Sequence, residues 1–133
     1  MSRPIHSLHA VLLAGSLPLF LGVLLNDMAY SSTHEIQWKN FASWLLVGGL
    51  ALGGCTLLWA VFDASRAASR TTRALIYAAL LLLLWVLGFI NALVHAADAW
   101  ASMPSALVLS AIVAALAIAA TWLGFSGQRG DAP

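Results

Sequence analysis

Four long apolar runs, separated by short segments that hold nearly all of the charge, constrain this sequence more than any other feature. The runs cover roughly residues 8–25, 41–62, 74–93 and 104–125, and a helix needs roughly 20 apolar residues to cross the hydrocarbon core of a bilayer. They show no alternation of polar and apolar residues, and open strands cannot satisfy their backbone groups in lipid. Because the connections are short, we predict one all-α membrane domain, residues 1–133, with four transmembrane helices in an antiparallel up-down-up-down bundle.

The overall composition agrees with a lipid environment. Hydrophobic residues make up 62% of the chain, charged residues make up 8%, and the mean hydropathy is +0.91. Soluble domains carry about 25% charged residues, so a water-soluble fold is disfavoured. The formal net charge of +1 provides no basic field for a nucleic-acid backbone, and the single cysteine excludes an internal disulfide. The predicted partner is therefore the lipid bilayer and not nucleic acid.

The distribution of basic residues predicts the direction of the helices. Four crossings place the N-terminus, the second connection and the C-terminal tail on one side, and only Lys39 on the other. The positive-inside rule then assigns both termini to the cytoplasm. A cleaved signal peptide is the alternative for the first run, but Pro18 interrupts its apolar core and residues 27–30 make a poor cleavage site. The basic residues on the cytoplasmic side are Arg3, Arg66, Arg70, Arg73 and Arg129.

Small and polar residues at steps of three and four positions predict which helix faces pack together, since helices in lipid have no hydrophobic drive toward one another. Gly49 and Gly53 on the second run predict a close helix contact, and Ser110 begins a plainer stripe of small residues on the fourth. The stripe on the first run comprises His6, His9, Leu13, Ser16, Phe20, Val23 and Asp27. The stripe on the third run comprises Tyr77, Leu81, Leu84, Gly88, Asn91, His95 and Asp98.

Two histidines lie one helical turn apart at the cytoplasmic end. His6 and His9 share one face, a spacing that suits a shared metal ion or a polar network with a carboxylate such as Asp63. Two histidines alone do not fill a zinc site, and no cysteine is placed to complete it. A structural or interfacial role and a ligand or proton-handling role both stay open at this point.

A second group of ionisable residues is predicted at the opposite end. His95 and Asp98 are one turn apart on the third run, and His34 lies beside Glu35 in the first connection. Paired imidazoles from two different elements are what a six-coordinate haem b requires. The alternatives are a solvated His34 with His95 bonded to Asn91 or a carbonyl, another metal, and a quinone pocket.

The sequence contains no motif of a hydrolase or a transferase. A nucleophile–base pair, a phosphate-binding loop and a pair of catalytic carboxylates are all missing from it. We therefore do not expect an enzyme, beyond a redox subunit. A proton-coupled transporter is also disfavoured, because proton relays place carboxylates at mid-membrane and the middle of each run holds no charge.

The opening of the chain carries a family resemblance. The segments RPIHSLHA at residues 3–10, LPLF at 17–20 and ND at 26–27 resemble an uncharacterised bacterial family of predicted four-helix inner-membrane proteins. The first helix of that family, which has no assigned function, opens with a His-Pro-x-His type of motif. Residues 37–44 and 85–100 are similar to later family segments, so the resemblance covers nearly the whole chain. Ser7 departs from the pattern, since the family commonly has proline there.

The resemblance implies a location in the bacterial inner membrane. It also implies that His6, His9 and Asp27 are the motif residues, with His95 indicated by its place in the later segment. Relatives that occur beside periplasmic sugar-aldehyde dehydrogenases, or that are fused to Rieske-like iron–sulfur domains, imply respiratory electron transfer.

Together these features predict a small membrane anchor or electron-transfer subunit that binds haem b or contacts quinone. Its expected partner is a periplasmic dehydrogenase or another respiratory protein. A cofactor-free structural or assembly protein is the alternative. The candidate ligands of haem or a metal are His6, His9, His34 and His95, and the supporting polar residues are Asp27, Asp63, Asn91 and Asp98.

Overall fold

The computed structural model describes residues 5–66, 70–97 and 103–130, the last four as backbone only. These residues form four helices, in which α1 spans Ser7–Thr33, α2 spans Ile36–Ser65, α3 spans Thr72–His95 and α4 spans Ser105–Gly130. Each helix is long and apolar enough to cross a membrane, and each covers one of the apolar runs. The predicted all-α membrane fold is confirmed.

The helices form a closed ring in which α1 packs against α2, α2 against α3, α3 against α4, and α4 against α1. At one end the start of α1 meets the end of α2, through His9 and Trp59, and the start of α3, through Tyr77. Arg73 at the start of α3 reaches the carbonyl of Leu123 near the end of α4. Neighbouring helices therefore run in opposite directions. We call this end the His9 end, and the opposite end the His95 end.

The inward faces of α1 and α3 are the predicted stripes. On α1 the stripe is buried from His9 to Asp27, and on α3 it is buried from Leu81 to His95. His6 is a correction, because it is exposed. It stands at the N-cap of α1, where the helix has not yet begun, so the helical period does not carry it to the inner face. Asp98, the last residue of the predicted α3 stripe, lies outside the described residues.

The ring of Phe20 fills the centre of the bundle and is only 1% exposed. A Cβ atom added at Gly49 would lie 2.9 Å from this ring, and one added at Gly53 would lie 3.6 Å from it. The two glycines of α2 thus make room for an aromatic side chain of α1. The contact at these two glycines is made by an aromatic ring and not by the backbone of a second helix, and we call Gly49 and Gly53 the glycine surface of α2.

Between its two ends the bundle has an apolar interior. Phe20, Leu46 and Leu84 are almost fully buried there. The buried hydroxyls of Ser16 and Thr56 donate to carbonyls of their own helices, each at 2.8 Å. These two polar groups are satisfied without linking one helix to another, which is the usual behaviour of hydroxyl side chains inside helices.

The connection between α1 and α2 is much shorter than the charged segment around it suggested. Helix α1 continues to Thr33 and α2 begins at Ile36, so two residues separate them. The Thr33 hydroxyl donates to a carbonyl one turn back at 2.7 Å, which keeps a polar residue within the helix. His34 then ends α1 in the left-handed region, with a φ of 63°. As a result Lys39 lies on α2 and not in a connection.

Candidate functional site

Five buried polar residues meet at the His95 end, and we call them the Asp27 cluster. They come from all four helices, and each is held on the inner face of its helix. Their exposed fractions are 0% for Asp27 and Asn91, 1% for Ser110, 3% for His95 and 8% for Lys39. Polar side chains are rarely buried to this extent unless they are hydrogen-bonded.

Asp27 is the central acceptor of the cluster. Nε2 of His95 lies 2.8 Å from one carboxylate oxygen of Asp27 and 3.0 Å from the other. The hydroxyl of Ser110 donates to the second oxygen. The carboxylate of α1 therefore ties α3 and α4 together, and it does so across the diagonal of the ring as well as along its edge.

The protonation states of His95 and Asp27 are linked by this geometry. Nδ1 of His95 lies 2.8 Å from the carbonyl oxygen of Asn91, and a carbonyl only accepts, so Nδ1 carries a proton. One further proton sits between Nε2 and the carboxylate, either on the ring or on the acid. Both arrangements have no net charge, so the pair is buried without an unpaired charge.

The cluster contains serine, histidine and aspartate, but they are not arranged for nucleophilic catalysis. Nδ2 of Asn91 donates to Ser110 Oγ at 2.9 Å, and the serine donates in turn to Asp27. A catalytic serine gives its proton to the histidine, with the carboxylate on the far side of the ring. Here the hydroxyl faces the carboxylate directly. This order of hydrogen bonds is that of a structural network and not that of a catalytic triad.

Lys39 belongs to the cluster, although the sequence analysis assigned it to a connection. Its Nζ donates to the backbone carbonyl of His95 at 2.6 Å. A cation at the last carbonyls of a helix satisfies an orphan acceptor and complements the helix dipole. The spacing held a signal for it, since steps of three and four from Gly49 back along α2 reach Leu46, Ala42 and then Lys39, all of which are buried.

A second polar group lies at the His9 end, and we call it the His9 cluster. Nε2 of His9 and the hydroxyl of Tyr77 are joined by a hydrogen bond of 2.7 Å. The Trp59 ring packs against His9 with centroids 5.4 Å apart, in an edge-to-face arrangement. Asp63 is close enough to act electrostatically on both His9 and Tyr77.

His6 and His9 occupy different environments at this end. Nδ1 of His6 accepts from the backbone N–H of Leu8 at 3.1 Å, so this residue acts as the N-cap of α1. His9 is 4% exposed, and its Nδ1 has no hydrogen-bond partner among the described residues. A ligand shared by His6 and His9, as the spacing predicted, would therefore have to bind one ring that is exposed at the helix cap and one ring that is buried.

The donor set does not fit a haem held between two histidines of this chain. Both ring nitrogens of His95 are engaged in hydrogen bonds within the protein, and His34 is exposed in the turn between α1 and α2. His6 and His9 lie one turn apart on the same helix, so they cannot approach a porphyrin from opposite faces. Within the ranges 5–66, 70–97 and 103–130, no three His, Cys, Asp or Glu side chains are grouped so as to hold a metal ion.

Arginines at the His9 end bond to backbone carbonyls of the helices. Arg70 donates to the carbonyls of Ala64 and Ser65 at the end of α2, at 3.1 and 3.0 Å. It therefore satisfies orphan acceptors and complements the dipole of α2. Arg73 donates to the carbonyl of Leu123 at 2.7 Å, seven residues before the end of α4.

Comparison with known proteins places the chain in a family. No curated protein and no solved structure matches it. A family model described as a predicted membrane protein, DUF2231, matches residues 5–128, a range that includes every residue of both clusters. The predicted membership of an uncharacterised family of four-helix membrane proteins is confirmed. The chain belongs to the DUF2231 family of predicted membrane proteins.

Proposed function

We propose that this protein is a small membrane anchor whose two polar clusters hold four helices in one register, and that it works without haem ligated by its own histidines. The observation that carries the proposal is the environment of His95. Both of its ring nitrogens are engaged in hydrogen bonds within the protein, at 2.8 Å each. A haem iron needs a nitrogen lone pair, and ligation here would require the break-up of the buried network.

The need for such a network follows from the solvent. In lipid the helices gain no hydrophobic energy by association, so their relative register depends on packing and on polar contacts between them. The Asp27 cluster supplies contacts from all four helices at one end. The His9–Tyr77 bond ties α1 to α3 at the other end. Two fixed ends give a rigid bundle, which is what an anchor for a larger protein requires.

The proposed orientation places the His9 end at the cytoplasmic face of the bacterial inner membrane. Arg66, Arg70 and Arg73 lie at the His9 end and are exposed. At the other end Lys39 is buried and bonded to a helix terminus. Exposed arginines at one end support the assignment by the positive-inside rule.

Visible spectroscopy tests the proposal. The full chain, purified in mild detergent, should show no Soret band in the oxidised or the dithionite-reduced state. His95→Ala and the matched variant His34→Ala should differ in stability and not in colour. A Soret band that disappears in His95→Ala and persists in His34→Ala would show that the histidine holds haem, and the proposal would be wrong.

Under this proposal the bundle serves electron transfer only as an anchor, for a partner that carries its own cofactors. The predicted partner is a periplasmic dehydrogenase or another respiratory protein, and the resemblance alone supports it. Dehydrogenase activity should then move from the membrane fraction to the soluble fraction when the chain is deleted. Unchanged membrane activity after deletion would count against this partner.

A further inference from the structure

A groove opens between α1 and α4 in the half of the bundle nearer the His9 end. Its volume is about 290 Å³, and it is only partly enclosed. Four apolar side chains and two hydroxyl side chains line it, namely Leu17, Ile118, Thr121, Trp122, Phe125 and Ser126. The groove thus offers an apolar wall that ends at the side chain of Ser126.

A cation lies at the end of the groove. The guanidinium of Arg73 donates to the hydroxyl of Ser126, which lines the groove, and to the carbonyl of Leu123. Arg73 is exposed, and a guanidinium has five N–H donors in a fixed plane. Its remaining donors can bind a phosphate in the bidentate way that suits this group.

Thr121 lines the same groove, but its hydroxyl is closed off from it. Oγ1 of Thr121 is buried, and it has no hydrogen-bond partner among the described residues. Thr121 precedes Ser126 by five residues, which is about 7.5 Å along a helix axis. Because this oxygen is not accessible from the groove, the polar recognition of an occupant falls to the cation at the end of the groove.

We propose that this groove binds one anionic phospholipid. Its acyl chain lies along the apolar wall formed by Leu17, Ile118 and Phe125, and its phosphate binds Arg73. The cation lies at one end of the groove and the apolar wall extends away from it, which is the order of phosphate and acyl chain in the lipid. A quinone matches the apolar wall, but it has no charge for the arginine to bind.

Native mass spectrometry of the full chain in mild detergent tests the assignment. The probes are phosphatidylglycerol, which is anionic, and phosphatidylcholine, which has the same chains and no net charge. The wild type should retain one phosphatidylglycerol in preference to phosphatidylcholine. Arg73→Gln should reduce that preference by about fivefold, as expected for one basic group at an anionic headgroup.

Three further variants separate the proposal from simpler explanations. Arg66→Gln removes an arginine at the same end whose guanidinium packs over Phe62, so it should leave the preference unchanged. Arg73→Lys keeps the charge and should retain most of the preference even if packing near α4 changes. Thr121→Val keeps the shape of the wall and removes a hydroxyl that is closed off from the groove, so it should leave the binding of both lipids unchanged.

Two results would overturn the assignment. The first is an equal loss of phosphatidylglycerol from the Arg66→Gln and Arg73→Gln variants, which would indicate a general effect of surface charge. The second is the displacement of the retained lipid by a long-chain quinone, if it occurs as readily in the Arg73→Gln variant as in the wild type. In that case the occupant would be recognised through the apolar wall alone.

Discussion

Replacement of Asp27 by alanine removes the acceptor at the centre of the Asp27 cluster. The side chain of Asp27 is hydrogen-bonded to His95, accepts from Ser110 and is 0% exposed, so both of these buried residues lose a partner. Polar contacts between membrane helices contribute about 0.6 kcal/mol on average and about 1.7 kcal/mol at most, so two contacts give about 1–3 kcal/mol. The loss of one member of a buried pair costs about 3–5 kcal/mol in soluble proteins. We therefore expect Asp27→Ala to lower the free energy of unfolding by about 3 kcal/mol.

Asp27→Asn separates the hydrogen bonds of this residue from its size. The carboxamide oxygen can accept from Ser110, while its NH₂ group donates to an unprotonated Nε2 of His95. That arrangement copies the neutral form of the native pair, in which the acid carries the shared proton. We expect a loss of about 1 kcal/mol, well below that of the alanine variant.

Equilibrium unfolding in mixed micelles, with SDS as the denaturant and far-UV circular dichroism as the signal, measures these differences. Glu35→Ala is the matched control, because it removes an exposed carboxylate at the same end of the bundle. It should change the free energy by less than about 0.5 kcal/mol. The reasoning fails if Asp27→Ala and Glu35→Ala unfold at the same SDS fraction, since the buried network would then contribute nothing to stability.

The same assay tests three other contacts. Gly49→Ala should cost about 1–2 kcal/mol, because its Cβ would lie 2.9 Å from the central phenylalanine ring, whereas Gly53→Ala should be neutral or slightly stabilising at 3.6 Å. Equal effects of the two substitutions would contradict the close contact between Gly49 and the Phe20 ring. Lys39→Met should cost about 1 kcal/mol and speed amide hydrogen exchange in the last turn of α3, where its Nζ caps a carbonyl; unchanged exchange would refute the cap. Tyr77→Phe should cost about 1 kcal/mol and shift the NMR signals of the His9 ring, and unshifted signals would argue against the bond.

The inward faces could be predicted from the sequence because they depend on spacing within one helix. Steps of three and four from His9 to Asp27 follow a single face of α1, and that face is the buried one. The same rule failed at His6, which stands at the helix cap. The rule would also have placed Lys39 on the inner face of α2 if the polar segment around it had been predicted as helical. The length and charge of that segment suggested a loop instead.

The contacts between helices could not be predicted in the same way. The sequence placed His95 opposite His34, yet in the structure His95 binds Asp27, and Ser110 completes the contact although its stripe was assigned to packing. Which residues meet depends on how far each helix slides along its neighbour. That offset is set by side-chain packing, such as the Phe20 ring on the glycine surface of α2, and periodicity within one helix carries no information about it.

The apolar stretch between the two clusters has a consequence for how they respond to substitution. His9 and Asp27 are 18 residues apart on α1, which is roughly 27 Å along the helix axis. Over that distance the buried hydroxyls of Ser16 and Thr56 are turned back onto their own backbones, so neither of them joins one cluster to the other. The two clusters are separate along the bundle, and a substitution in one of them should leave the hydrogen bonds of the other unchanged.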